Sequence, residues 1–173
     1  MPTLLASLWA LPTREKARIL LAVVFLSALG CLWLWQPERQ VSLHQRHLLH
    51  AAETRDWPKI KESLDDSFHT SYGHDKPTAL ALLADALRPF FTLQIIASEP
   101  EITIKGNEGT VRTLLRLNGT GMSFAEIVQN TVNESQEPFE FTWRRVNWKP
   151  WDWRLIRASH PVIGLAAGHL PIL

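Results

Sequence analysis

A run of seventeen residues without a charged side chain, residues 19–35, constrains this chain more than any other feature. As an α-helix the run spans about 26 Å, close to the ~30 Å hydrocarbon core of a bilayer. The stem of Arg18 can extend it at one end. Trp33 and Trp35 lie at the other end, where aromatic rings favour the membrane interface. The sequence therefore predicts a transmembrane helix over residues 17–36, anchored by Arg18, Trp33 and Trp35.

The charges on either side of the run predict its orientation. Three basic residues and one acidic residue immediately precede it, whereas Glu38 and Arg39 follow it and cancel. The positive-inside rule then places residues 1–16 in the cytoplasm and everything beyond residue 36 across the membrane. A cleaved signal peptide is the alternative, but its apolar stretch would end at a small-residue site. Here the run continues past Cys31, so we expect an uncleaved, single-pass anchor in a bacterial inner membrane.

Composition excludes several classes of protein. The 18 Lys and Arg against 17 Asp and Glu give a net charge of +1, whereas a nucleic-acid binder needs a clear basic excess. A single cysteine can form neither an internal disulfide nor a cysteine-rich zinc site. A chain of 173 residues is long enough for one domain of ordinary size and a short additional segment. We therefore expect no nucleic-acid partner and no cofactor.

The segment after the anchor predicts three helices. Pro37 is suited to the first turn of a helix, and Asp56 is a suitable N-cap for a second, short helix that begins at Trp57. A third helix starts at Lys76 and is stopped by Pro89. The residues between the second and third helices are assigned to a helix end and a loop.

After Pro89 the apolar residues alternate with a period of two, which indicates strands. Gly109 is assigned to the hairpin turn as the residue with positive φ, and residues 119–138 to a loop that could form a helical turn or pair weakly. The predicted strands are residues 91–98, 102–104, 111–117, 139–144 and 151–156. One face of these strands is apolar and is predicted to pack against the helices. Its residues are Val111, Leu115, Phe141, Trp143, Trp153 and Leu155. The opposite face carries Arg112, Arg116, Thr142, Arg144 and Arg154. Helices on one face of a sheet define an α+β domain.

The order of these elements resembles the nuclear transport factor 2-like superfamily over about residues 40–160. The similarity is carried by Asp56-Trp57 at a helix start, by the segment LDDSF at residues 64–68 and by the closing segment WRLI at residues 153–156. This resemblance implies a cone, in which a curved antiparallel sheet wraps around helices, often with an apolar pocket at its wide end. It also implies a superfamily of enzymes and non-catalytic modules, so the fold alone does not decide the function. We expect this domain over residues 37–160, followed by an apolar tail, residues 161–173.

Enzymes of the superfamily place acid–base residues inside the cone. Asp66, His69 and Tyr72 are the catalytic candidates if this chain is an isomerase, a dehydratase or another small-molecule-binding member. The predicted apolar strand face offers no matching Asp or His. His44, His47 and His50 recur every three residues, but no further ligand completes a zinc site. We therefore expect no metal and regard catalysis as the less favoured alternative.

The last four of the eight tryptophans divide into two groups. Trp143, Trp153 and Trp151 are predicted to fill the interior. Trp148 is predicted to face outward or to lie in a turn, and together with Arg144, Lys149 and Arg116 it forms the predicted partner-binding set, because exposed Trp beside Arg is typical of interface hot spots. The sequence thus predicts a single-pass, membrane-anchored, non-enzymatic scaffold or assembly protein. Its extracytoplasmic domain would bind other membrane or periplasmic proteins, or a second copy of itself.

Overall fold

Helix α1, Thr13–Leu34, contains most of the apolar run. The computed structural model of the protein describes residues 13–161, and within them residues 13–36 and 37–161 belong to two separate compact units. The predicted cytoplasmic segment up to residue 12, the side chain of Trp33 and the tail from residue 162 lie outside the described residues. Among the helices of residues 13–161, none is long and apolar enough to cross a membrane. Five apolar side chains of α1 are 60–73% exposed: Leu20, Leu21, Val24, Phe25 and Leu26.

The three predicted helices of the domain are confirmed. Helix α2 is Pro37–Glu53, α3 is Trp57–Ser63 and α4 is Lys76–Leu87. Asp56 caps α3, since its Oδ1 accepts a hydrogen bond from the backbone N–H of Lys59 at 3.3 Å. Asp75 caps α4 in the same way, through the backbone N–H of Thr78 at 3.1 Å.

Within residues 13–161, seven strands form two sheets. A five-stranded sheet has the order β1-β7-β6-β4-β3, and a two-stranded sheet pairs β2 with β5. All pairs are antiparallel except β1 with β7, which is parallel. The bounds are β1 Leu64–Thr70, β2 Phe90–Ala97, β3 Glu101–Lys105, β4 Glu108–Thr113, β5 Leu115–Gly121, β6 Phe139–Arg145 and β7 Trp153–Ser159.

The two sheets continue into one another at a single residue. Leu114 separates β4 from β5. Its carbonyl accepts from the Ser98 N–H at 2.9 Å, and its own N–H donates to Ser98 Oγ at 3.0 Å. Because β4 and β5 form one bent run, the surface they build is curved. The predicted α+β fold with helices against a curved sheet is confirmed.

The sequence prediction for residues 64–70 is wrong. It placed a helix end and a loop here and expected every strand pair to be antiparallel, whereas these residues form strand β1. Phe68 and Thr70 are buried, and β1 pairs in parallel with β7. The polar start of β1 obscures it in the sequence, since Asp65 Oδ1 accepts from both the N–H (2.9 Å) and the Oγ–H (2.7 Å) of Ser67. The register shifts between Leu64 and His69, which interrupts the alternation of apolar residues.

The hairpin turn between β3 and β4 is also shifted from its predicted place. Lys105 pairs with Glu108, so the turn consists of Gly106 and Asn107, and Gly106 has the positive φ of 61°. Gly109 lies within β4 instead. A Cβ there would be 2.8 Å from Cγ2 of Val41, so Gly109 allows α2 to approach the sheet closely.

Most of the predicted loop at residues 119–138 is helix α5, Ser123–Glu134. Ala125 and Val132 on its inner side are buried in a small core cluster with Phe90 and Leu117. The inner residues follow helical spacing, but neither a side-chain N-cap nor a basic last turn marks the ends of the helix. The sequence therefore contains the periodicity of α5 but not its boundaries.

The predicted apolar strand face forms the main core. Trp143 is 0% and Trp153 2% exposed, and Val111, Phe141 and Leu155 are buried with them. The helices contribute mainly Val41, Leu48, Ile60 and Leu87. The prediction that Trp151 fills the interior is wrong, because it lies in the turn before β7, where strand alternation does not apply, and is 53% exposed.

His160, directly after β7, gives a pH-dependent prediction. It is 2% exposed, its ring stacks on Phe139 at 3.7 Å between centroids, and its Nε2 lies 3.0 Å from the Glu137 carbonyl oxygen. Burial lowers the pKa of His160 below its usual 6.5, so as the pH falls the unfolded chain binds this proton first. Stability from this site is thus present above about pH 6.5 and lost as the pH falls through that value.

We expect His160→Gln to flatten the decrease in the free energy of unfolding between about pH 7.5 and about pH 5.5. Urea titrations of both chains across this range measure the two slopes. The two chains differ at position 160 alone, so the difference between their slopes reports on that residue. Parallel slopes would show that His160 has the same pKa in the folded and unfolded states.

Candidate interaction surfaces

The interior of the curved sheet is occupied by side chains. Trp143 and Trp153 lie at its centre, and the indole N–H of Trp143 donates to Gln45 Oε1 on α2 at 3.0 Å. An open groove of about 430 Å³ lies elsewhere, between β5 and α5. It is lined by small and polar residues, including Gly119, Thr120, Glu126, Gln129 and Asn130. The buried tryptophans therefore occupy the centre of the inner sheet face, and the groove beside α5 lies outside it.

The three catalytic candidates have three separate partners. The Asp66 side chain is fully exposed and pairs with Nζ of Lys76 at 3.0 Å. Exposed His69 has its Nδ1 3.3 Å from the carbonyl oxygen of Ser67. Tyr72 is half exposed and donates its hydroxyl to the carbonyl of Pro161 at 3.2 Å. The structure therefore places these candidates on the outside of β1 and the following turn, not in an apolar interior.

The helical histidines are also separated. Nδ1 of His44 lies 2.9 Å from the Gln40 carbonyl oxygen, and its ring edge contacts Trp143 at 5.9 Å between centroids. Nδ1 of His50 lies 3.3 Å from Oε2 of Glu53. In the part of the chain that the structure describes, no group of three or more His, Cys, Asp or Glu side chains could hold a metal ion.

The connection between β6 and β7, residues 146–152, presents three large apolar side chains to solvent. We call it the tryptophan loop. Trp148 is 85% exposed, Trp151 53% and Val146 52%. The predicted outward position of Trp148 is thus confirmed, and Trp151 joins it instead of the core. Exposed apolar side chains in such proximity are typical of binding surfaces.

Hydrogen bonds within the tryptophan loop hold it in one conformation. Asn147 accepts from the Lys149 N–H at 2.8 Å and donates its side-chain amide to Asp152. The Val146 N–H donates to the carbonyl of Asp152 at 2.9 Å, and the indole of Trp153 donates to that of Pro150 at 2.8 Å. A loop fixed in this way loses little conformational entropy when it binds.

The arginines of the predicted partner-binding set lie apart from one another. Arg144 is next to the tryptophan loop on β6, where both its Nε and Nη2 donate to Glu108 Oε1 at 3.1 and 3.0 Å. Arg116 lies on β5, opposite Ile96 in the two-stranded sheet. The structure thus brings Arg144, Trp148 and Lys149 to one hairpin and leaves Arg116 elsewhere. Their role in binding stays a prediction.

A second apolar surface was missed because the sequence assigned three of its four residues to a loop and the fourth, Phe91, to a strand. We call it the α5 surface: Phe91 (68% exposed), Met122 (60%), Ile127 (53%) and Phe124 (41%). The Met122 N–H donates to the Pro89 carbonyl at 2.9 Å, which brings the start of α5 beside the start of β2. Phe124 and Ile127 lie one helical turn apart on the outer side of α5. Their i, i+3 spacing is the signal that could have indicated an exposed apolar stripe.

Solved structures share the fold of the domain. A conserved protein of Planctomyces limnophilus is 19% identical with a TM-score of 0.55, and the match covers 71% of this chain and 93% of that chain. A candidate dehydratase of the NTF2-like family from Streptomyces avermitilis is 13% identical with a TM-score of 0.53, and the match covers 71% of this chain and 93% of that chain. An NTF2-like protein of unknown function from Pseudomonas putida is 14% identical with a TM-score of 0.51, and the match covers 70% of this chain and 83% of that chain.

These similarities show that the domain has the nuclear transport factor 2-like (NTF2-like) fold, as the sequence resemblance predicted. No protein-family model and no curated protein matches the sequence. At these identities the similarity concerns the fold, not the activity.

Proposed function

We propose that this chain is a single-pass, membrane-anchored, non-enzymatic scaffold or assembly protein whose NTF2-like domain binds protein partners. One observation carries the proposal: Trp143 and Trp153 fill the interior, while large apolar side chains stand exposed on the outside. A filled interior leaves the outer surface as the place where the domain can act. The alternative, an isomerase, a dehydratase or another small-molecule-binding protein, requires a cavity of at least about 300 Å³ inside the cone.

The charge-free run in the sequence supports the membrane anchor, whereas the described residues contain no helix long and apolar enough to cross a membrane. Residues 19–35 carry no charge, and α1 continues through them without a break as far as Leu34. Exposed Leu, Val and Phe side chains on such a helix need an apolar environment, which a bilayer provides. The basic residues before the run favour an N-terminus in the cytoplasm. We place the protein in a bacterial inner membrane, with the domain from Pro37 onward in the periplasm.

The α5 surface is the proposed site for a protein partner. Its four large exposed apolar side chains lie at the start of β2 and the start of α5, which the hydrogen bond from the Met122 N–H to the Pro89 carbonyl brings together. Side chains such as Phe and Met are enriched in interface cores. The partner is another membrane or periplasmic protein, or a second copy of this chain.

Photocrosslinking in intact membranes tests the partner proposal. A benzophenone amino acid at Ile127, on the α5 surface, is expected to give discrete covalent adducts with one or a few proteins. The same group at Ser67, an exposed position of β1, is the matched control and is expected to give few. Phe124→Ser should weaken the adduct formed at position 127, because it removes a neighbouring apolar contact. Equal, diffuse labelling at both positions would contradict the proposal.

A further inference from the structure

The tryptophan loop lies at the end of the domain where α2 begins. Val41, in the second turn of α2, packs against Gly109 beside the β3–β4 turn. The C-terminal end of α2 lies at the other sheet, where Glu53 Oε1 accepts from the Ile95 N–H at 2.6 Å. Helix α2 therefore runs from the β3–β4 turn toward β2.

The end of β6 is fastened to that same turn. The Arg145 N–H donates to the Asn107 carbonyl, and Arg145 Nη2 donates to Asn107 Oδ1, each at 2.8 Å. Val146, the next residue, begins the tryptophan loop. The start of α2, the β3–β4 turn and the tryptophan loop thus form one end of the domain. The chain enters this end from Gln36, directly after the apolar run.

The chemistry of this end suits a lipid surface. Trp148 and Trp151 are amphipathic aromatic side chains, which favour the headgroup region of a bilayer. Lys149 on the loop and Lys105 on the hairpin are exposed basic residues suited to anionic headgroups. Two nearby acidic groups have basic neighbours, since Glu108 accepts from Arg144 and Asp152 Oδ1 lies 3.7 Å from Arg154 Nε, while exposed Glu38 at the start of α2 is followed by Arg39. Within the loop, Lys149 is exposed and Asp152 is partly buried, so the fully exposed charge of the loop is that of Lys149.

We infer that the tryptophan loop docks the domain onto the bilayer, with Trp148 and Trp151 in the headgroup region and Lys149 and Lys105 on anionic lipid headgroups. This inference rests on the proposed membrane anchor. The fixed conformation of the loop makes the contact rigid, so it sets the orientation of the domain. The run β4–β5 extends from Glu108 at this end to Gly121, beside the α5 surface, at the other. Docking therefore turns the α5 surface away from the membrane, where a periplasmic partner can reach it.

The test uses the purified full chain in vesicles of phosphatidylethanolamine and phosphatidylglycerol, with no other protein present. Cys31, the sole cysteine, is replaced by serine, and an environment-sensitive fluorophore is attached through Lys149→Cys, Glu99→Cys or Leu26→Cys. Glu99 is the matched control, since it is exposed in the loop at the opposite end of β3. Quenching by iodide in the water is compared with quenching by brominated lipid.

We expect the label at position 149 to be several-fold more protected from iodide than the label at 99, and to be quenched by brominated lipid. Trp148→Ser with Trp151→Ser should remove this protection, and vesicles of phosphatidylcholine alone should reduce it. The inference is overturned if positions 149 and 99 are equally accessible while position 26 is quenched by brominated lipid. Protection that appears only when native membrane proteins are added would identify a protein partner and also overturn it. Accessible label at position 26 would overturn the anchor itself.

Discussion

Trp143→Ala is expected to lower the free energy of unfolding by about 3–5 kcal/mol, the cost typical of removing a fully buried aromatic side chain. Trp143 is 0% exposed and joins the helices to the sheet, since its indole N–H donates to the buried Gln45. The substitution leaves both a cavity and an acceptor without its donor in the core. Urea denaturation of the full chain in detergent, followed by near-ultraviolet circular dichroism, measures the loss.

The matched control is the same substitution at Trp148. This side chain is 85% exposed, so Trp148→Ala should change the free energy of unfolding by no more than about 0.5 kcal/mol. The two variants separate the buried tryptophans, which stabilise the domain, from the exposed tryptophan loop, for which binding is proposed. Equal losses from both would mean that the tryptophan loop packs on the domain and is not free to bind.

The strand alternation that identified the interior is a local signal. Phe139, Phe141 and Trp143 occur at every second position of β6, as do Trp153 and Leu155 in β7, and a strand with one buried face requires that spacing. The starts of the helices are local as well, because Pro37 and Asp56 act within one turn of the chain. These parts of the fold could be predicted because neighbouring residues determine them.

The elements that were missed depend on distant contacts. Strand β1 begins with polar residues and exists because β7, some ninety residues later, pairs with it. Gly109 cannot be distinguished from a turn glycine until Val41 is known to pack against it. Trp151 follows the strand period in sequence but lies before the first residue of β7. Tertiary structure determines which strands pair, where a helix approaches a sheet closely and where a strand ends. A short segment of sequence does not contain that information.

The candidate surfaces also divide into those that local sequence predicts and those that depend on distant contacts. The exposure of Trp148 follows from its place in a turn, so it could be predicted. The α5 surface could not, because it requires both the helix and the neighbouring start of β2. Arg116 was grouped with Arg144 on one sheet face, but the chain changes sheets at Leu114, between β4 and β5. Residues that alternation predicts to share one sheet face do so only within one continuous strand.

A single lysine in the apolar run is expected to release the chain from the membrane. Leu26 lies near the middle of residues 19–35, and its side chain is 66% exposed on α1. A lysine at the centre of a spanning helix costs about 3–4 kcal/mol relative to leucine, so Leu26→Lys should lower the insertion constant by at least about a hundredfold. Extraction of membranes with alkaline carbonate measures the fraction of chain that is retained.

Ile96→Lys is the control, because it makes a similar exchange at a 47% exposed position of β2 within the folded domain. We expect this variant to stay in the carbonate-resistant fraction, since the bilayer does not surround β2. If Leu26→Lys is retained as well as Ile96→Lys, α1 does not cross the lipid, and the domain must be held by surface contacts or a partner. If both are released while the parent chain stays, added charge weakens binding to a membrane surface. Release of Leu26→Lys alone is the outcome that a spanning anchor requires.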